Sequence, residues 1–117
     1  MISRILFVCA YGRDRSQTAA DLYRDLNGIQ VRAEGVNRFA LVCVSEADMR
    51  WADVIACMSL SIMVDLEERF HELHHSRMVN LDIENKYRRG SSELRLAIRI
   101  AMKRELPELE QLLVKER

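Results

Sequence analysis

The sequence predicts a three-layer α/β/α fold, in which helices cover both faces of a four-stranded parallel sheet. One observation behind this prediction is that strand patterns and helical patterns alternate along the chain. The other is size, because 117 residues, of which 49% are hydrophobic, can bury one core. We therefore expect a single domain over residues 1–117, with right-handed crossovers between its strands.

Two strands and two helices are predicted for the first half of the chain. The apolar run from Arg4 to Val8 predicts the first strand, and a helix is expected from Ser16 to Asn27, which a glycine follows. Ile29 to Ala33 alternates apolar and polar residues, as an edge strand does. Ser45 is expected to cap a short helix through Trp51, whose acidic first turn suits the helix dipole.

The second half repeats this order. Asp53 to Met58 predicts a buried strand, and Ser59 opens a helix with one apolar face. Met78 to Leu81 is expected to form the fourth strand. After a polar segment, the last helix begins at about Ser92, and Pro107 should kink or restart it.

The junction between the first strand and the first helix reads Cys-Ala-Tyr-Gly-Arg-Asp-Arg-Ser over residues 9–16. A loop that winds into a helix start directs successive backbone N–H groups at one point, where the helix dipole adds positive potential. Arg15 completes such a ring, because its planar guanidinium can donate two parallel hydrogen bonds to a phosphate. We therefore predict a phosphate-binding loop after the first strand.

Cys9 stands at the base of this loop. Nearby N–H donors, the helix N-terminus and Arg15 all favour the thiolate, which is the nucleophilic form of cysteine. Ser16 is placed either to hydrogen bond this thiolate or to cap the helix. The alternative interpretation is that Cys9 is a small buried residue at a strand end and that Arg15 is a solvated helix residue.

These residues resemble those of a known family. Val8-Cys9 through Arg15-Ser16, followed by Thr18-Ala19, is similar to the loop of the low-molecular-weight protein tyrosine phosphatases and of the related thioredoxin-coupled arsenate reductases. The resemblance covers nearly the whole chain and points to a short bacterial branch of the family. Its further segments are Gly28 to Gly35, Trp51 to Met58, and Val79 to Ile83 with Tyr87 and Glu93-Leu94.

The resemblance implies a cysteine-dependent phosphatase without a metal or other cofactor, which acts on a phosphotyrosine protein or a small aryl phosphate. In this interpretation Cys9 forms a cysteinyl-phosphate, Arg15 clamps the phosphate and Ser16 stabilises the thiolate. The phosphate oxygens would be held by the backbone amides of the loop residues Ala10, Tyr11, Gly12, Arg13, Asp14 and Arg15.

Two loop residues depart from the family pattern. Gly12 stands where the family usually has an asparagine whose side chain pins the loop. Asp14 adds a negative charge to a loop that should bind a dianion. We expect it to weaken binding unless Arg13 neutralises it or it points outward.

The largest departure concerns the general acid, an aspartate that the family places after the fourth strand to protonate the leaving oxygen. Alignment on Tyr87 puts Asn85 at that position, and an amide cannot donate this proton. Asp82 and Glu84 are the acids close enough in sequence to replace it, although Asp82 is equally well explained as a loop residue. The sequence therefore predicts a slow phosphatase with Asp82 as its candidate acid, and a non-catalytic phosphate-binding module is the alternative.

Two other activities need residues that the sequence supplies only in part. Thioredoxin-type arsenate reduction needs a thiol relay from Cys9, for which Cys43 and Cys57 are the candidates. The run His71-Glu72-Leu73-His74-His75 contains a His-Glu-x-x-His zinc signature, but its outer histidines fall opposite the apolar face of the predicted helix. Both activities are therefore less favoured, and no metal site is predicted.

Composition disfavours two classes of partner. With 18 basic and 18 acidic residues the formal net charge is zero, without the basic surface that binds nucleic acid. No apolar run approaches the length of a membrane span, and the N-terminal one is too short for a signal-peptide core. Three cysteines, one of them an expected thiolate, favour a cytoplasmic location. The oligomeric state has no signal in the sequence.

Overall fold

The computed structural model of the chain describes residues 2–26, 28–72 and 77–109. Strands and helices alternate strictly along these ranges. The strands are β1 (Arg4–Cys9), β2 (Gln30–Gly35), β3 (Val54–Cys57) and β4 (Arg77–Asn80). The helices are α1 (Arg15–Tyr23), α2 (Glu46–Trp51), α3 (Leu60–Arg69) and α4 (Ser92–Glu105).

The four strands form one parallel sheet in the spatial order β2-β1-β3-β4. In this sheet β1 is central, because Cys9 pairs with Gly35 of β2 and Val8 pairs with Cys57 of β3. Right-handed crossovers in this order place α1 on one face of the sheet and α2 and α3 on the other. Helix α1 packs on β1 and β2 and also against α4. The predicted three-layer α/β/α fold is therefore confirmed.

The middle of the sheet forms the core. Ile5 to Cys9 and the whole of β3 are buried, as parallel strands covered on both faces should be. The edge strand β2 alternates exposed and half-buried residues as far as Ala33, and then becomes buried at Glu34 and Gly35. The predicted edge position of β2 is correct, and its buried end lies beside the end of β1.

Serine side chains cap three of the helices. Ser45 and Asp48 form a reciprocal capping box at the start of α2, while Ser59 and Ser91 accept hydrogen bonds from the first turns of α3 and α4. Residues 107–109 are helical after a break at residue 106, so Pro107 restarts the helix. None of the helices in the described ranges has the length and apolar character of a membrane span.

The structure corrects several predicted boundaries. Strands β1 and β2 run one and two residues further than predicted, because Cys9 and Gly35 still pair with each other in the sheet. Strand β4 lies one residue earlier than predicted. Helix α1 starts at Arg15 and already ends at Tyr23. The amide of Leu26 donates a hydrogen bond to the carbonyl of Tyr23 at 3.2 Å, which forms a turn after the helix. The predicted helix end at Asn27 lies outside the described residues.

Candidate active site

The topology places Cys9 where parallel sheets bind ligands. Cys9 is the last residue of β1. The next strand along the chain, β2, lies on one side of β1 and β3 lies on the other, so the strand order switches at β1. Ligand crevices in such sheets lie at the carboxyl ends of the strands beside this switch point. The loop of residues 10–14 leads from Cys9 into α1, so the predicted phosphate-binding loop occupies this position.

Two donors meet the sulfur of Cys9. The backbone N–H of Gly12 donates to Cys9 Sγ at 3.0 Å, and Ser16 Oγ lies 3.0 Å from the same sulfur. Ser16 is fully buried inside α1, whereas Asp14 occupies the N-cap position of that helix. Of the two roles that the sequence left open for Ser16, the structure shows the contact with the sulfur.

The loop rests on the end of β2 through backbone contacts. The amides of Asn37 and Leu41 donate to the carbonyls of Ala10 and Tyr11, at 2.9 and 3.2 Å. A Cβ atom added to Gly35 would lie 2.7 Å from Ala10 O, Tyr11 C and Ala40 Cβ. The loop and the strand end therefore approach more closely than any side chain allows.

Gly12 is the second glycine that this approach requires. Its φ of +67° lies in the left-handed region, and an added Cβ would lie 3.0 Å from the carbonyl carbon of Glu34. This conformation directs the Gly12 N–H at the sulfur. Gly12 is not among the residues that line the pocket. Glycine suits this position because of its backbone conformation and of the close approach of Glu34.

Arg15 joins the two sides of the site. Its side chain is only 7% exposed, and its Nη1 donates to the carbonyl of Ile83, beyond β4, at 2.9 Å. Burial lowers the pKa of Arg15, while the charges of Cys9 and Asp14 oppose this shift. The guanidinium stays charged because its ordinary pKa is so high, and its remaining N–H groups are available to an anion.

An open pocket lies above the sulfur. It is lined by Cys9, Ala10, Tyr11, Arg13, Asp14, Arg15 and Asn85. The structure thus brings together the nucleophile, the guanidinium and most of the loop residues that the sequence assigns to phosphate. Tyr11 is 44% exposed at the rim, and the Arg13 guanidinium lies over its ring, 5.7 Å from the centroid.

The two acids predicted to replace the general acid lie elsewhere. Asp82 is exposed and has a left-handed φ of 53°, and its backbone N–H donates to the carboxamide oxygen of Asn80 at 2.8 Å. Aspartate tolerates this backbone conformation better than most residues. Glu84 is exposed and lies 3.4 Å from Lys86 Nζ. Neither carboxylate lines the pocket, so a catalytic role for Asp82 stays a prediction without a supporting contact.

One buried acid beside the site was missed by the sequence analysis. Glu34 is 3% exposed, and its Oε1 has no hydrogen-bond partner among the described residues. Burial, followed by a hydrogen bond with Asp48, raises the pKa of Glu34 to about 8. Arg32 lies above this pair, 2.8 Å from Asp48 and 4.0 Å from the centroid of the Trp51 ring. The sequence signal for Glu34 was the alternation of side chains along β2, which puts residues 32 and 34 on the face that α2 covers.

The remaining candidate residues do not approach the pocket. Cys57 is fully buried in β3, and burial raises the pKa of its thiol to about 12. Cys43 is exposed, and its thiol donates to the carbonyls of residues 37 and 38 at 3.4 Å. His71 is exposed, as predicted for the outer face of its helix end, whereas His75 lies outside the described residues.

The fold and this loop together define a class: the chain has the fold of the low-molecular-weight protein tyrosine phosphatases, as its sequence resemblance implied. No protein-family model and no curated protein matches the sequence. Solved structures do match. The Wzb tyrosine phosphatase from Escherichia coli K30 superposes with a TM-score of 0.76 at 18% identity, over 93% of this chain and 99% of that one.

Two further structures show the range of the fold. The YwlE arginine phosphatase from Geobacillus stearothermophilus has a TM-score of 0.68 at 23% identity, over 92% of this chain and 96% of that one. SP-PTP, a low-molecular-weight protein tyrosine phosphatase from Streptococcus pyogenes, has a TM-score of 0.76 at 13% identity, over 92% and 93% of the two chains. The architecture is thus shared along nearly the full length of each protein.

Proposed function

We propose that the protein is a cysteine-dependent phosphatase that hydrolyses phosphotyrosine or small aryl phosphates through a cysteinyl-phosphate. One observation carries this proposal. Cys9 Sγ accepts a hydrogen bond from the Gly12 amide at 3.0 Å and lies 3.0 Å from the Ser16 hydroxyl, at the base of a pocket that Arg15 also lines. A thiolate beneath an anion site, with a fixed guanidinium beside it, is arranged to attack phosphorus.

The reaction has two steps. In the first, the Cys9 sulfur attacks phosphorus, an S–P bond forms, and the bond from phosphorus to the leaving oxygen breaks. Arg15 holds the equatorial phosphate oxygens as negative charge moves across them. In the second step a water oxygen attacks phosphorus, the S–P bond breaks, and its electron pair returns to sulfur. Ser16 and the Gly12 amide stabilise the thiolate that leaves.

The pocket rim supports an aryl substrate. Tyr11 presents an exposed ring beside Cys9, and an aromatic leaving group can pack on it. The Wzb and SP-PTP proteins are named as tyrosine phosphatases, and YwlE is named as an arginine phosphatase. Because an aryl oxide needs less protonation than an alkoxide, it is also the leaving group that best tolerates Asn85 in the place of an acid. A reducing cytoplasm suits the free thiol that this reaction needs.

A non-catalytic phosphate-binding module is the second candidate, and Asn85 is the observation that favours it. Asn85 lines the pocket at the position where a phosphatase of this family would carry its acid. Arsenate reduction is less supported, since Cys57 is buried within β3 and its thiol has a raised pKa.

The proposal is tested with Cys9→Ser and p-nitrophenyl phosphate. We expect turnover to fall by at least about 10³-fold, because a hydroxyl cannot replace the thiolate. Rapid acid quenching followed by mass spectrometry should detect phosphate on Cys9 of the wild-type protein. The matched control is Cys43→Ser, which removes an exposed thiol outside the pocket.

Two outcomes would overturn the proposal. Turnover of Cys9→Ser at the wild-type rate would exclude this nucleophile. Vanadate or phosphate binding by a wild-type protein that shows no turnover would favour the binding module instead.

A further inference from the structure

The proposed reaction needs a proton donor for the leaving oxygen, and the amide of Asn85 cannot supply this proton. Protonation of the leaving oxygen is worth about 10²- to 10⁴-fold when the leaving group is basic. Neither Asp82 nor Glu84 lines the pocket. If the site turns over substrates with basic leaving groups, another side chain within the pocket must donate the proton.

Asp14 is the one acidic residue among the described residues that line the pocket. It precedes Arg15 and lies close enough to this guanidinium for its charge to raise the Arg15 pKa. It occupies the N-cap position of α1 with a helical φ of -85° and ψ of -65°, and its side chain makes no capping hydrogen bond. Its backbone carbonyl, and not its carboxylate, accepts from Thr18.

The free carboxylate of Asp14 contrasts with other acids of the protein. Asp48 caps α2 and pairs with Arg32, and Asp53 accepts from the backbone amides of residues 3 and 4 at 2.9 Å each. No hydrogen bond or ion pair holds the Asp14 carboxylate among the described residues. It is therefore free to contact a ligand in the pocket.

We propose that Asp14 is the general acid and base of this site. It takes the role of the aspartate that the family carries at the position of Asn85. The inference rests on the phosphatase function proposed above. In the first step the Asp14 carboxyl gives its proton to the leaving oxygen as the bond to phosphorus breaks. In the second step the Asp14 carboxylate takes a proton from the attacking water, and the S–P electron pair returns to Cys9. Asp14 ends the cycle protonated, as it began.

This role also bears on the negative charge that Asp14 brings to the loop. A protonated Asp14 carboxyl does not repel a phosphate dianion, and it carries the proton that the leaving group needs.

The test is Asp14→Asn assayed on two substrates that differ in their leaving group. Phenyl phosphate releases a basic phenolate, whereas p-nitrophenyl phosphate releases a much weaker base. We expect kcat on phenyl phosphate to fall by about 10²-fold and kcat on p-nitrophenyl phosphate to fall by less than about tenfold. Asp14→Glu, which keeps the carboxyl, should retain the wild-type preference between the two substrates.

A matched control separates this role from a general charge effect. Asp21 lies on the same helix, is exposed and pairs with Arg24 outside the pocket, so Asp21→Asn should leave both rates unchanged. Phosphate binding by Asp14→Asn, measured by calorimetry, should be as tight as in the wild type or tighter, which confirms an intact loop.

Three outcomes would overturn the inference. An equal loss on both substrates would assign Asp14 a merely structural or electrostatic role. A larger substrate-dependent loss in Asp82→Asn would assign the acid to Asp82. An absence of Cys9-dependent turnover in the wild type would remove the proposed function and this inference together, whereas the first two outcomes leave the phosphatase function standing.

Discussion

The two sides of the pocket are built in different ways. The side contributed by β1, α1 and the loop between them is positioned by backbone groups: the Gly12 amide donates to the sulfur, and the carbonyls of Ala10 and Tyr11 accept from the loop after β2. The side contributed by the segment after β4 consists of the Ile83 carbonyl, which holds Arg15, and of Asn85. We therefore expect anion binding to depend on chain geometry as well as on Arg15, and proton transfer to depend on the identity of single side chains such as Asp14.

This difference explains how one function can weaken while the fold persists. A change of the Asn85 side chain would break none of the backbone contacts of the loop, so we expect the pocket to keep its shape and Arg15 its place. Replacement of Gly12 or Gly35 would instead displace the loop itself, because each lies within about 3 Å of neighbouring backbone atoms once a Cβ is added. We expect the two sides to respond differently to substitution.

Among the substitutions that compare the two sides, the largest effect is expected on the backbone side, for Gly35→Ala. The new Cβ would lie 2.7 Å from Ala10 O and from Tyr11 C, which are backbone atoms that cannot rotate away. The loop must therefore shift, and a displacement of this size costs about 10²-fold in rate when it misplaces reacting groups. Both kcat/KM on p-nitrophenyl phosphate and phosphate affinity should fall.

Gly28→Ala is the control for this experiment. Gly28 has a φ of +83°, so alanine is strained there, but nothing lies within 4 Å of its added Cβ and it is not in the pocket lining. It should lower the free energy of unfolding and leave kcat unchanged. Wild-type turnover in Gly35→Ala would show that the loop does not depend on this close approach.

On the opposite side, Asn85→Asp should strengthen catalysis. It places a carboxyl at the pocket position that the family uses for its acid, so we expect turnover of phenyl phosphate to rise by about tenfold. The added negative charge should weaken phosphate binding at the same time. Asn80→Asp adds the same charge outside the pocket lining. It should raise the turnover of neither phenyl phosphate nor p-nitrophenyl phosphate. If Asn85→Asp slows both substrates, the side chain at this position is not aimed at the leaving group.

Much of the backbone side could be predicted from sequence. The spacing of Cys9, Arg15 and Ser16 between an apolar strand and a helix is local, and local spacing fixes which groups a loop can direct at one point. Serine caps such as Ser45 and Ser59 are local signals as well, and the structure places both where the sequence predicts them.

Features that depend on distant residues could not be predicted in the same way. The sequence left two roles open for Ser16, since only the packing of α1 against β1 decides whether its hydroxyl contacts the sulfur or the helix end. It offered Asp82 as an acid because Asp82 follows β4, but a left-handed turn after that strand keeps it out of the pocket lining. The burial of Glu34 depends on how α2 covers the edge strand.

The smallest expected effect on turnover is that of Glu34→Gln, which changes stability and its pH dependence. Glu34 lies beside the backbone side of the pocket, where a Cβ added to Gly12 would lie 3.0 Å from its carbonyl carbon. Its pKa is raised to about 8 in the folded protein from an ordinary 4.5. The folded state therefore keeps a proton that the unfolded state has released, and stability should fall by about 1.4 kcal/mol per pH unit as pH rises from about 4.5 through about 8.

Glutamine removes this titration while keeping the shape of the side chain. Between pH 6 and pH 8, urea unfolding should show the wild type losing about 2 kcal/mol relative to Glu34→Gln. Asp48 has a lowered pKa, so its contribution is lost only as pH falls below its ordinary range and does not overlap this window. Glu46→Gln, which changes an exposed acid paired with Arg50, should keep the wild-type slope. Equal slopes in the wild type and Glu34→Gln would mean that Glu34 is already ionised in the folded protein. Glu34 would then interact with Asp48 and Arg32 as a charged carboxylate, without a proton shared with Asp48.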